Sequence, residues 1–417
     1  MTLRPHRLLA WYGDDFTGST DVMEVVSLQG IPAVLFLEKP SEEALARFAG
    51  YRAFGLAGSS RSQSPQWMDA HLPGVFEWMR GLGAALSHYK VCSTFDSSPE
   101  TGSIGRALEI GARIFRVPWV PIVVGAPALR RYTAFGHLFA TSDGAVKRID
   151  RHPMARHPVT PMLEADLRLH LARQTDRRVA LMSLLDLASA DPEARMDEVS
   201  RDNPDAVLFD VLDEASLRTV GRLLWGRAFA VGSSGVEYAL AAHWQLPPLA
   251  KPQLQPADRI VVLSGSCSPV TGRQIREAER RGFASIRVDP LHPVLDAAAV
   301  QALKAGRSAV IYTAAGPEDQ LPAFAPRENL GRELGRMLAQ VLEETGVRRV
   351  IVAGGDTSSH AGGMLQIDAL TFICPLAPGA PLCRAWSSHA GRDGIEIVFK
   401  GGQCGNDDFF CQVRGDR

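Results

Sequence analysis

Short runs of β-branched and apolar residues alternate with longer amphipathic segments along almost the whole chain. The runs lie at 8–12, 33–37, 122–124, 179–181, 206–209 and 229–231 in the N-terminal half, and at 260–263, 285–288, 308–312, 350–352, 369–373 and 395–399 in the C-terminal half. This alternation predicts an α/β fold in which mainly parallel sheets are covered by helices. Ligands bind such sheets beyond the carboxyl ends of the strands.

A proline-rich segment separates the two halves. Residues 245–256 contain four prolines, a composition typical of a semi-rigid linker. With 417 residues, of which 46% are hydrophobic, the chain is also too long for one ordinary core. We therefore predict two domains, over 1–244 and 258–417, joined by a linker over 245–257.

The composition argues against nucleic-acid and membrane partners. The net charge is −1 and the basic residues occur as scattered pairs, so the chain has no basic stripe that could follow a phosphate backbone. The apolar stretch near the N-terminus is too short for a signal sequence, and the longest apolar segment, 114–129, is broken by prolines and an arginine. A soluble cytoplasmic protein is expected, and a homodimer is compatible with the sequence.

The first predicted strand leads directly into two adjacent aspartates, Asp14 and Asp15, and then into a helix that starts with Thr17, Gly18 and Ser19. Paired carboxylates can accept hydrogen bonds from vicinal hydroxyls, while the amides at a helix N-terminus can bind an anion. A polyhydroxy acid would use both features. Helix capping explains one such aspartate but not two in succession.

Two further loops of the N-terminal half carry cationic side chains. Ser60 and Arg61 follow the apolar run at 53–57, and Arg61 can bind a carboxylate through two N–H groups. Lys90 precedes a hydroxyl-rich loop and can act as a point charge for the same acid. The alternative interpretations are a solvated surface arginine and an exposed lysine at a strand edge.

The C-terminal half carries three glycine-rich turns. They contain Gly354, Gly355, Asp356 and Thr357, residues 378–381, and Gly401 with Gly402. Glycine allows backbone N–H groups to approach an anion closely, which is what a nucleotide phosphate site requires. In the first turn, Asp356 can hold Mg²⁺ and Thr357 can contact an oxygen. The chain contains no Walker-type G-x-x-x-x-G-K-[ST] motif.

A serine- and glycine-containing turn follows the predicted strand at 260–263. Ser264 and Ser266 lie in this turn, directly before a helix. Such a turn can hold phosphate or ribose oxygens through hydroxyl and backbone N–H groups. Ordinary helix capping is the rival explanation.

Six motifs in this order, YGDDFTGSTD, YKVCST, SGSCS, GGDTSSHA, PGAPLCRA and KGGQCGNDDFF, resemble those of the four-carbon acid sugar kinase family. The resemblance covers nearly the whole chain. It implies an N-terminal sugar-acid-binding domain and a C-terminal nucleotide-binding domain. It also implies ATP- and Mg²⁺-dependent phosphorylation of a terminal hydroxyl on acids such as D-threonate, D-erythronate or 3-oxo-tetronate.

The resemblance also assigns roles to individual residues. Contacts to the acid carry over to Asp14, Asp15, Ser60, Arg61, Lys90, Cys92, Ser93 and Thr94, and contacts to ATP to Ser264 or Ser266, Gly354, Gly355, Asp356, Thr357 and Gly402. Asp15 and Asp356 are the candidates for the general base. Asp356 is the candidate Mg²⁺ ligand.

One departure from the family pattern concerns specificity. The lysine segment commonly contains an aspartate where this chain has Cys92, and the following loop reads FDSSPETGSIG. A missing carboxylate changes which substrate hydroxyls the site can bind. The altered loop is similar to that of the branch that includes 3-oxo-isoapionate kinases, which makes a branched sugar acid a candidate substrate.

Two other functional classes remain open at this point. A dehydrogenase or epimerase on a doubly wound fold would need G-x-G-x-x-G after the first strand, where this chain has Asp14 and Asp15. A non-enzymatic sugar-acid sensor that closes about its linker would explain the N-terminal half. It would leave the C-terminal glycine turns without a function.

Overall fold

The computed structural model describes residues 6–142, 144–157, 159–246, 252–319 and 327–416. The chain forms two compact units, which we call the first unit (Met1–Ala33 and Gly50–Leu249) and the second unit (Val34–Ala49 and Ala250–Arg417). The centre of the predicted linker, 247–251, lies outside the described residues.

The regular elements of the described residues follow the predicted alternation. The strands are β1 (Leu9–Gly13), β2 (Ala33–Phe36), β3 (Ala53–Ala57), β4 (Leu86–Lys90), β5 (Val120–Val123), β6 (Arg131–Ala134), β7 (His137–Ser142), β8 (Ala145–Arg148), β9 (Val179–Met182), β10 (Ala206–Phe209), β11 (Phe229–Gly232), β12 (Val261–Ser264), β13 (Ala284–Arg287), β14 (Ala309–Tyr312), β15 (Arg349–Ala353), β16 (Ala369–Ala377), β17 (Ala380–Trp386) and β18 (Glu396–Lys400). The helices are α1 (Phe16–Leu28), α2 (Glu42–Ala46), α3 (Pro65–Gly81), α4 (Ile104–Phe115), α5 (Leu167–Leu171), α6 (Leu184–Leu187), α7 (Pro192–Ser200), α8 (Glu214–Leu224), α9 (Gly235–Trp244), α10 (Pro269–Arg280), α11 (Ala297–Lys304), α12 (Arg327–Thr345), α13 (Gly355–Met364) and α14 (Phe409–Arg414).

The main sheet of the first unit is parallel, in the order β3-β1-β4-β11-β5-β10-β9. Every residue of β1, β4, β5, β10 and β11 is buried, as expected for strands of a parallel sheet covered on both faces. A separate antiparallel sheet is formed by β6, β7 and β8. The core of this unit therefore surrounds the central parallel strands.

The sheet of the second unit combines a parallel and an antiparallel part. Strands β13, β14, β12, β15 and β18 are parallel, and β17, β16 and β2 continue the sheet in antiparallel orientation. Strand β2 pairs with β16, and Phe48 packs edge-on against both Phe36 and Trp386 at centroid distances of 5.5 and 5.4 Å. These contacts explain why residues 34–49 belong to the second unit although they precede the linker.

The predicted fold class, two α/β domains with mainly parallel sheets, is confirmed. The sequence did not reveal β4, because its apolar pattern is interrupted by His88 and Lys90, which are nevertheless buried. It also missed β17. The glycine turn at 378–381, predicted with the phosphate site, connects β16 to β17 as a hairpin in which Gly379 has φ of +75°. The turn geometry is therefore sufficient to explain its glycine.

Candidate functional site

Strand register brings the polar loops of the first unit to one edge of its sheet. Gly13, the last residue of β1, pairs with Ala57 of β3 and with Lys90 of β4. The backbone N–H of Arg61 donates to the carbonyl oxygen of Asp14 at 3.0 Å, which joins two of the loops directly. We call Asp14, Asp15, Arg61, Lys90 and Asp96 the charged cluster.

Arg61 links two carboxylates of this cluster. Its Nη1 donates to Oδ2 of Asp15 at 2.8 Å, and its Nη2 donates to both carboxylate oxygens of Asp96 at 2.8 and 2.7 Å. These bonds use three of the five N–H groups of the guanidinium. The other two, at Nε and Nη1, have no hydrogen-bond partner in the part of the chain that the structure describes, so they remain available to a ligand.

Asp96 is a member of the cluster that sequence reasoning missed. Thr94 and Thr160 donate hydroxyl hydrogen bonds to its carboxylate at 2.5 and 3.1 Å. Burial opposes the charge of Asp96, but Arg61 and the two threonine hydroxyls together lower its pKa below the usual value. The only signal in the sequence was an aspartate in the altered loop that follows Cys92. Asp96 therefore stays ionised and holds Arg61 in place.

Lys90 is buried, in contrast to the surface interpretation. Its Nζ donates to the carbonyl oxygen of Val91 at 2.9 Å and lies 4.0 Å from Oδ2 of Asp21. Burial opposes its charge, but the carboxylates of Asp21, Asp14 and Asp15 raise its pKa. A Cβ atom on Gly18 would lie 3.0 Å from this Nζ, so the ammonium group reaches the first turn of α1. Lys90 is a fixed cation of the site.

The two adjacent aspartates have different environments. Asp15 is the N-cap of α1 and accepts a hydrogen bond from the backbone N–H of Gly18 at 2.5 Å, in addition to its bond with Arg61. Asp14 is buried, and its Oδ1 has no partner among the described residues. Burial, and then the charge of Asp15, raise the pKa of Asp14 to about 7. Asp14 can therefore exchange a proton near neutral pH.

The remaining predicted acid contacts surround the same loops. Ser60 is buried, and its Oγ lies 2.9 Å from the hydroxyl of Tyr89. Cys92 is partly exposed, and its Sγ lies 3.0 Å from the hydroxyl oxygen of Thr94. Ser93 is half-buried between these two residues.

Strand register also aligns three loops in the second unit. Ser264 at the end of β12 pairs with Ala353 of β15, which pairs in turn with Lys400 of β18. The loops after these strands surround a cavity of about 260 Å³. Its lining includes Gly265, Ser266, Gly354, Gly355, Thr357 and Gly402. The first and third of the predicted glycine turns therefore meet at one cavity.

Glycine is required where these loops approach one another. Gly354 has φ of +118°, which side chains disfavour. A Cβ atom on Gly402 would lie 2.5 Å from Oγ of Ser266, and one on Gly265 would lie 2.2 Å from Oγ1 of Thr357. Gly354 is also the N-cap of α13 and, as a glycine, provides no side-chain cap. The N-terminus of a helix favours an anion.

The structure distinguishes the predicted nucleotide contacts from one another. Ser266 and Thr357 line the cavity. Ser264 is fully buried, and its hydroxyl accepts a hydrogen bond from the backbone N–H of Ser266 at 3.3 Å. Asp356 belongs to α13, but its side chain lies outside the described residues, so its predicted roles stay predictions.

Sequence reasoning gave no role to Lys400, which is fully buried beside this cavity. Its Nζ donates to Oγ1 of Thr271 at 3.2 Å, and this hydroxyl donates to the carbonyl oxygen of Gly402 at 2.8 Å. Burial lowers the pKa of Lys400 to about 8. The available signal was its position as the first residue of the KGGQCG motif.

The described residues contain no group of three or more histidine, cysteine, aspartate or glutamate side chains that could hold a metal ion. None of their helices is both long enough and apolar enough to cross a bilayer.

Both halves of the chain match known protein families. Residues 9–240 match the family described as the sugar-binding N-terminal domain, and residues 261–410 match the family described as the nucleotide-binding C-terminal domain. The first match contains the charged cluster. The second contains the cavity lined by glycines.

Similar proteins of nearly the same length support these matches. The chain is 50% identical to the 3-oxo-isoapionate kinase of Paraburkholderia graminis over 98% of this chain and 94% of the relative. It is 28% identical to the 3-oxo-tetronate kinase of Cupriavidus necator over 98% and 97% of the two chains. A solved structure from Salmonella typhimurium LT2 aligns with a TM-score of 0.79 and 25% identity over 98% of both chains. A Haemophilus influenzae protein shares the fold with a TM-score of 0.76 and 21% identity over 97% and 99%.

Proposed function

Because the chain belongs to the four-carbon acid sugar kinase family, we propose that it transfers the γ-phosphoryl group of ATP to a terminal hydroxyl of 3-oxo-isoapionate. The observation that carries the choice of a branched acid is the identity of 50% with a 3-oxo-isoapionate kinase, against 28% with a 3-oxo-tetronate kinase. A linear four-carbon acid such as 3-oxo-tetronate, D-threonate or D-erythronate is the second candidate.

The acid is proposed to bind at the charged cluster. Lys90 and the two free N–H groups of Arg61 would hold its carboxylate, since both side chains are positioned by surrounding carboxylates. Asp14 and Asp15 would accept hydrogen bonds from substrate hydroxyls. Ser60, Cys92 and Ser93 would complete the surroundings of the acid. This assignment places sugar-acid binding in 1–244 and nucleotide binding in 258–417.

Asp14 is proposed as the general base, in place of Asp15. Asp15 already caps α1 and binds Arg61, whereas Oδ1 of Asp14 is buried and has no partner in the described part of the chain. A base is most effective when its pKa lies near the working pH, and that of Asp14 is about 7. In this role Oδ1 accepts the proton of the substrate hydroxyl as the oxygen attacks the phosphorus.

The nucleotide phosphates are proposed to bind in the cavity of the second unit. The turn of Gly354 and Gly355, the backbone amide of Gly402 and the hydroxyls of Ser266 and Thr357 would surround the phosphate oxygens. Phosphoryl transfer depends mainly on positioning and charge neutralisation, and these backbone and hydroxyl contacts would provide the positioning. Ser264 would hold the loop that contains Ser266 in position, through the hydrogen bond between its hydroxyl and the N–H of Ser266.

The side chains that line the cavity fit a Mg²⁺ ion that is bound chiefly through the nucleotide. Mg²⁺ prefers oxygen ligands and commonly combines one or two protein groups with substrate phosphates. Ser266, Thr357 and Asp319 bring oxygen atoms to the cavity, and Asp356 is the ligand that the sequence predicts. The ion would neutralise charge on the phosphates. A cytoplasmic location and a homodimer stay predictions.

Release of ADP tests the proposal. The purified chain would be incubated with ATP and Mg²⁺ and with 3-oxo-isoapionate, 3-oxo-tetronate, D-threonate or D-erythronate in turn. We expect ADP release that depends on the acid and is fastest with 3-oxo-isoapionate. Faster release with a linear acid would overturn the substrate assignment, and acid-independent or absent release would overturn the kinase assignment. Binding of an acid without ADP release would favour the sensor.

A further inference from the structure

Lys400 is a fully buried amine that has no acidic partner in the part of the chain that the structure describes. A buried ammonium group without a counter-charge is unfavourable, because the interior solvates it poorly. Lys90, which is also buried, has a carboxylate 4.0 Å away. Among the described residues, the ammonium group of Lys400 therefore has no nearby carboxylate of the kind that Lys90 has.

The hydrogen bonds of Lys400 lead to the nucleotide cavity. Its Nζ donates to Oγ1 of Thr271, and the same hydroxyl donates to the carbonyl oxygen of Gly402. Gly402 lines the cavity, while the backbone carbonyl of Lys400 accepts the N–H of Gly354 at 2.9 Å. The side chain of Lys400 is thus linked to the Gly402 turn through Thr271, and its backbone contacts the Gly354 turn directly.

Two helix N-termini lie close to Lys400. Thr271 lies in the first turn of α10, which begins at Pro269, and the N-terminus of α13 starts at the neighbouring strand end. Helix N-termini carry partial positive charge, so they do not neutralise an ammonium group. The ammonium group of Lys400 and the N-termini of α10 and α13 all favour an anion in the cavity. None of the three neutralises the positive charge of another.

We propose that Lys400 is a positioning residue for the nucleotide, whose ammonium group supplies positive charge for the phosphates and acts on them through Thr271 and the turn at Gly402. The inference rests on the proposed function of the cavity. It adds a residue that neither the glycine motifs nor the cavity lining identified.

Few other charges face this lysine. Among the described residues, the Cys404 thiol is the titratable group that acts on it, and the ring of Phe410 lies 5.7 Å from its Nζ. α10 presents the uncharged Thr271. Since the pKa of Lys400 is about 8 without ligand, bound phosphates should raise it and favour the protonated amine.

Proton uptake on nucleotide binding tests the proposal. MgADP would be titrated calorimetrically into the full chain at pH 8, in two buffers that differ in ionisation enthalpy. We expect uptake of about half a proton, because about half of the amines are neutral at a pH equal to the pKa. ADP binding without uptake would overturn the inference alone. No ADP binding at all would overturn the proposed function and the inference with it.

Three variants separate charge from packing. Lys400→Met removes the charge but leaves the bond from Thr271 to Gly402, so the dissociation constant for MgADP should rise roughly tenfold to a hundredfold and the uptake should vanish. Lys400→Arg keeps a permanent charge and should retain most of the affinity without uptake. Lys304→Met, at an exposed position of α11, is the matched control and should change neither quantity.

Thermal unfolding provides a second readout. Replacing a buried, unpaired charge with an apolar side chain of similar size is expected to leave the melting temperature of the ligand-free protein unchanged or to raise it. A lower melting temperature of Lys400→Met with unchanged affinity for MgADP would show a structural role and overturn the inference. If Lys400→Met does not fold, the uptake by the wild-type protein decides the question.

Discussion

The charged cluster of the first unit and the cavity of the second unit offer an anion different kinds of groups. In the cluster, Arg61 and Lys90 are positioned by carboxylates, so recognition there would depend on side-chain charges. The cavity offers glycine backbone and hydroxyls, and the buried cation beside it, Lys400, has no carboxylate partner in the described residues.

The ligands proposed for the two regions account for this difference. A small sugar acid must be distinguished from similar acids by its hydroxyls, and fixed polar side chains discriminate strongly. A nucleotide phosphate presents several oxygens and high charge, which backbone amides and helix N-termini accommodate without a specific side chain. Mutations should therefore affect the two regions in different ways.

The largest effect is expected for Asp14→Asn. Loss of a general base typically lowers kcat by about 10²- to 10⁴-fold, and MgADP binding should stay unchanged because the cavity is not altered. In the wild-type protein, kcat/KM should rise with pH through about 7, since the base must be deprotonated. Steady-state kinetics between pH 5.5 and 8.5 measure both effects. Asp202→Asn, at an exposed position, is the control.

Asp14→Asn should also be more stable than the wild-type protein at high pH. The folded-state pKa of Asp14 is raised, so its protonated form contributes stability at low pH that is lost as the pH rises to about 7. Asparagine stays neutral, and the melting temperature of Asp14→Asn should exceed that of the wild type at pH 8. The difference in melting temperature should be smaller at pH 5.5.

In the kinetic measurement, a wild-type kcat of Asp14→Asn would refute the assignment of Asp14 as the general base.

The next largest effect is expected for Arg61→Ala. Loss of a charge-assisted contact should raise KM for the acid roughly tenfold to a hundredfold, while KM for ATP changes little. The variant also leaves Asp15 and Asp96 without their shared cation, so a lower melting temperature is expected. Asp96→Asn separates acid binding by Arg61 from its stabilising role, because it removes the ion pair with Asp96 but keeps the guanidinium. An unchanged KM for the acid in Arg61→Ala would exclude it from substrate binding.

A smaller effect is expected for Gly402→Ala. Its Cβ would lie 2.5 Å from Oγ of Ser266, so the loop must shift, and affinity for MgADP should fall by about tenfold. Gly401→Ala is the matched control, because a Cβ atom there meets no atom within 4 Å. Calorimetric titration of both variants is the measurement. Equal affinities would show that the turn does not contact the nucleotide.

The smallest effect is expected for Cys92→Asp. The thiol of Cys92 now lies next to the hydroxyl of Thr94. A carboxylate in its place would provide a hydrogen-bond acceptor for a hydroxyl of a linear substrate. We expect the ratio of kcat/KM for 3-oxo-isoapionate over 3-oxo-tetronate to fall by about tenfold, with Cys92→Ser near the wild-type value. An unchanged ratio would place Cys92 among ordinary packing residues.

The sequence predicted the fold class, and two of its glycine turns meet at one cavity, because both features depend on local patterns. Alternating apolar runs identify buried strands, and a glycine such as Gly402 marks a close approach between two loops. The hairpin turn at 378–381 shows the limit of this reasoning, since a glycine required by a turn has the same local pattern as one beside a phosphate.

The electrostatics could not be predicted in this way. Asp96 and Thr160 are far apart in the sequence and meet only through tertiary packing, and the raised pKa of Asp14 depends on its burial. Lys90 and Lys400 have the same residue type at the end of a strand, but only Lys90 has an acidic neighbour among the described residues. Such differences follow from burial and pairing, which the sequence does not display.

The most direct test of the assignment of the two ligands to the two regions measures the binding of each ligand alone to two variants. Calorimetry would measure the affinities of Arg61→Ala and Gly402→Ala for 3-oxo-isoapionate alone and for MgADP alone. The account predicts that Arg61→Ala loses affinity for the acid and keeps it for MgADP, and that Gly402→Ala shows the reverse. Loss of acid affinity in Gly402→Ala with retained MgADP affinity, or the opposite pattern in Arg61→Ala, would contradict the assignment of the two ligands to the two regions.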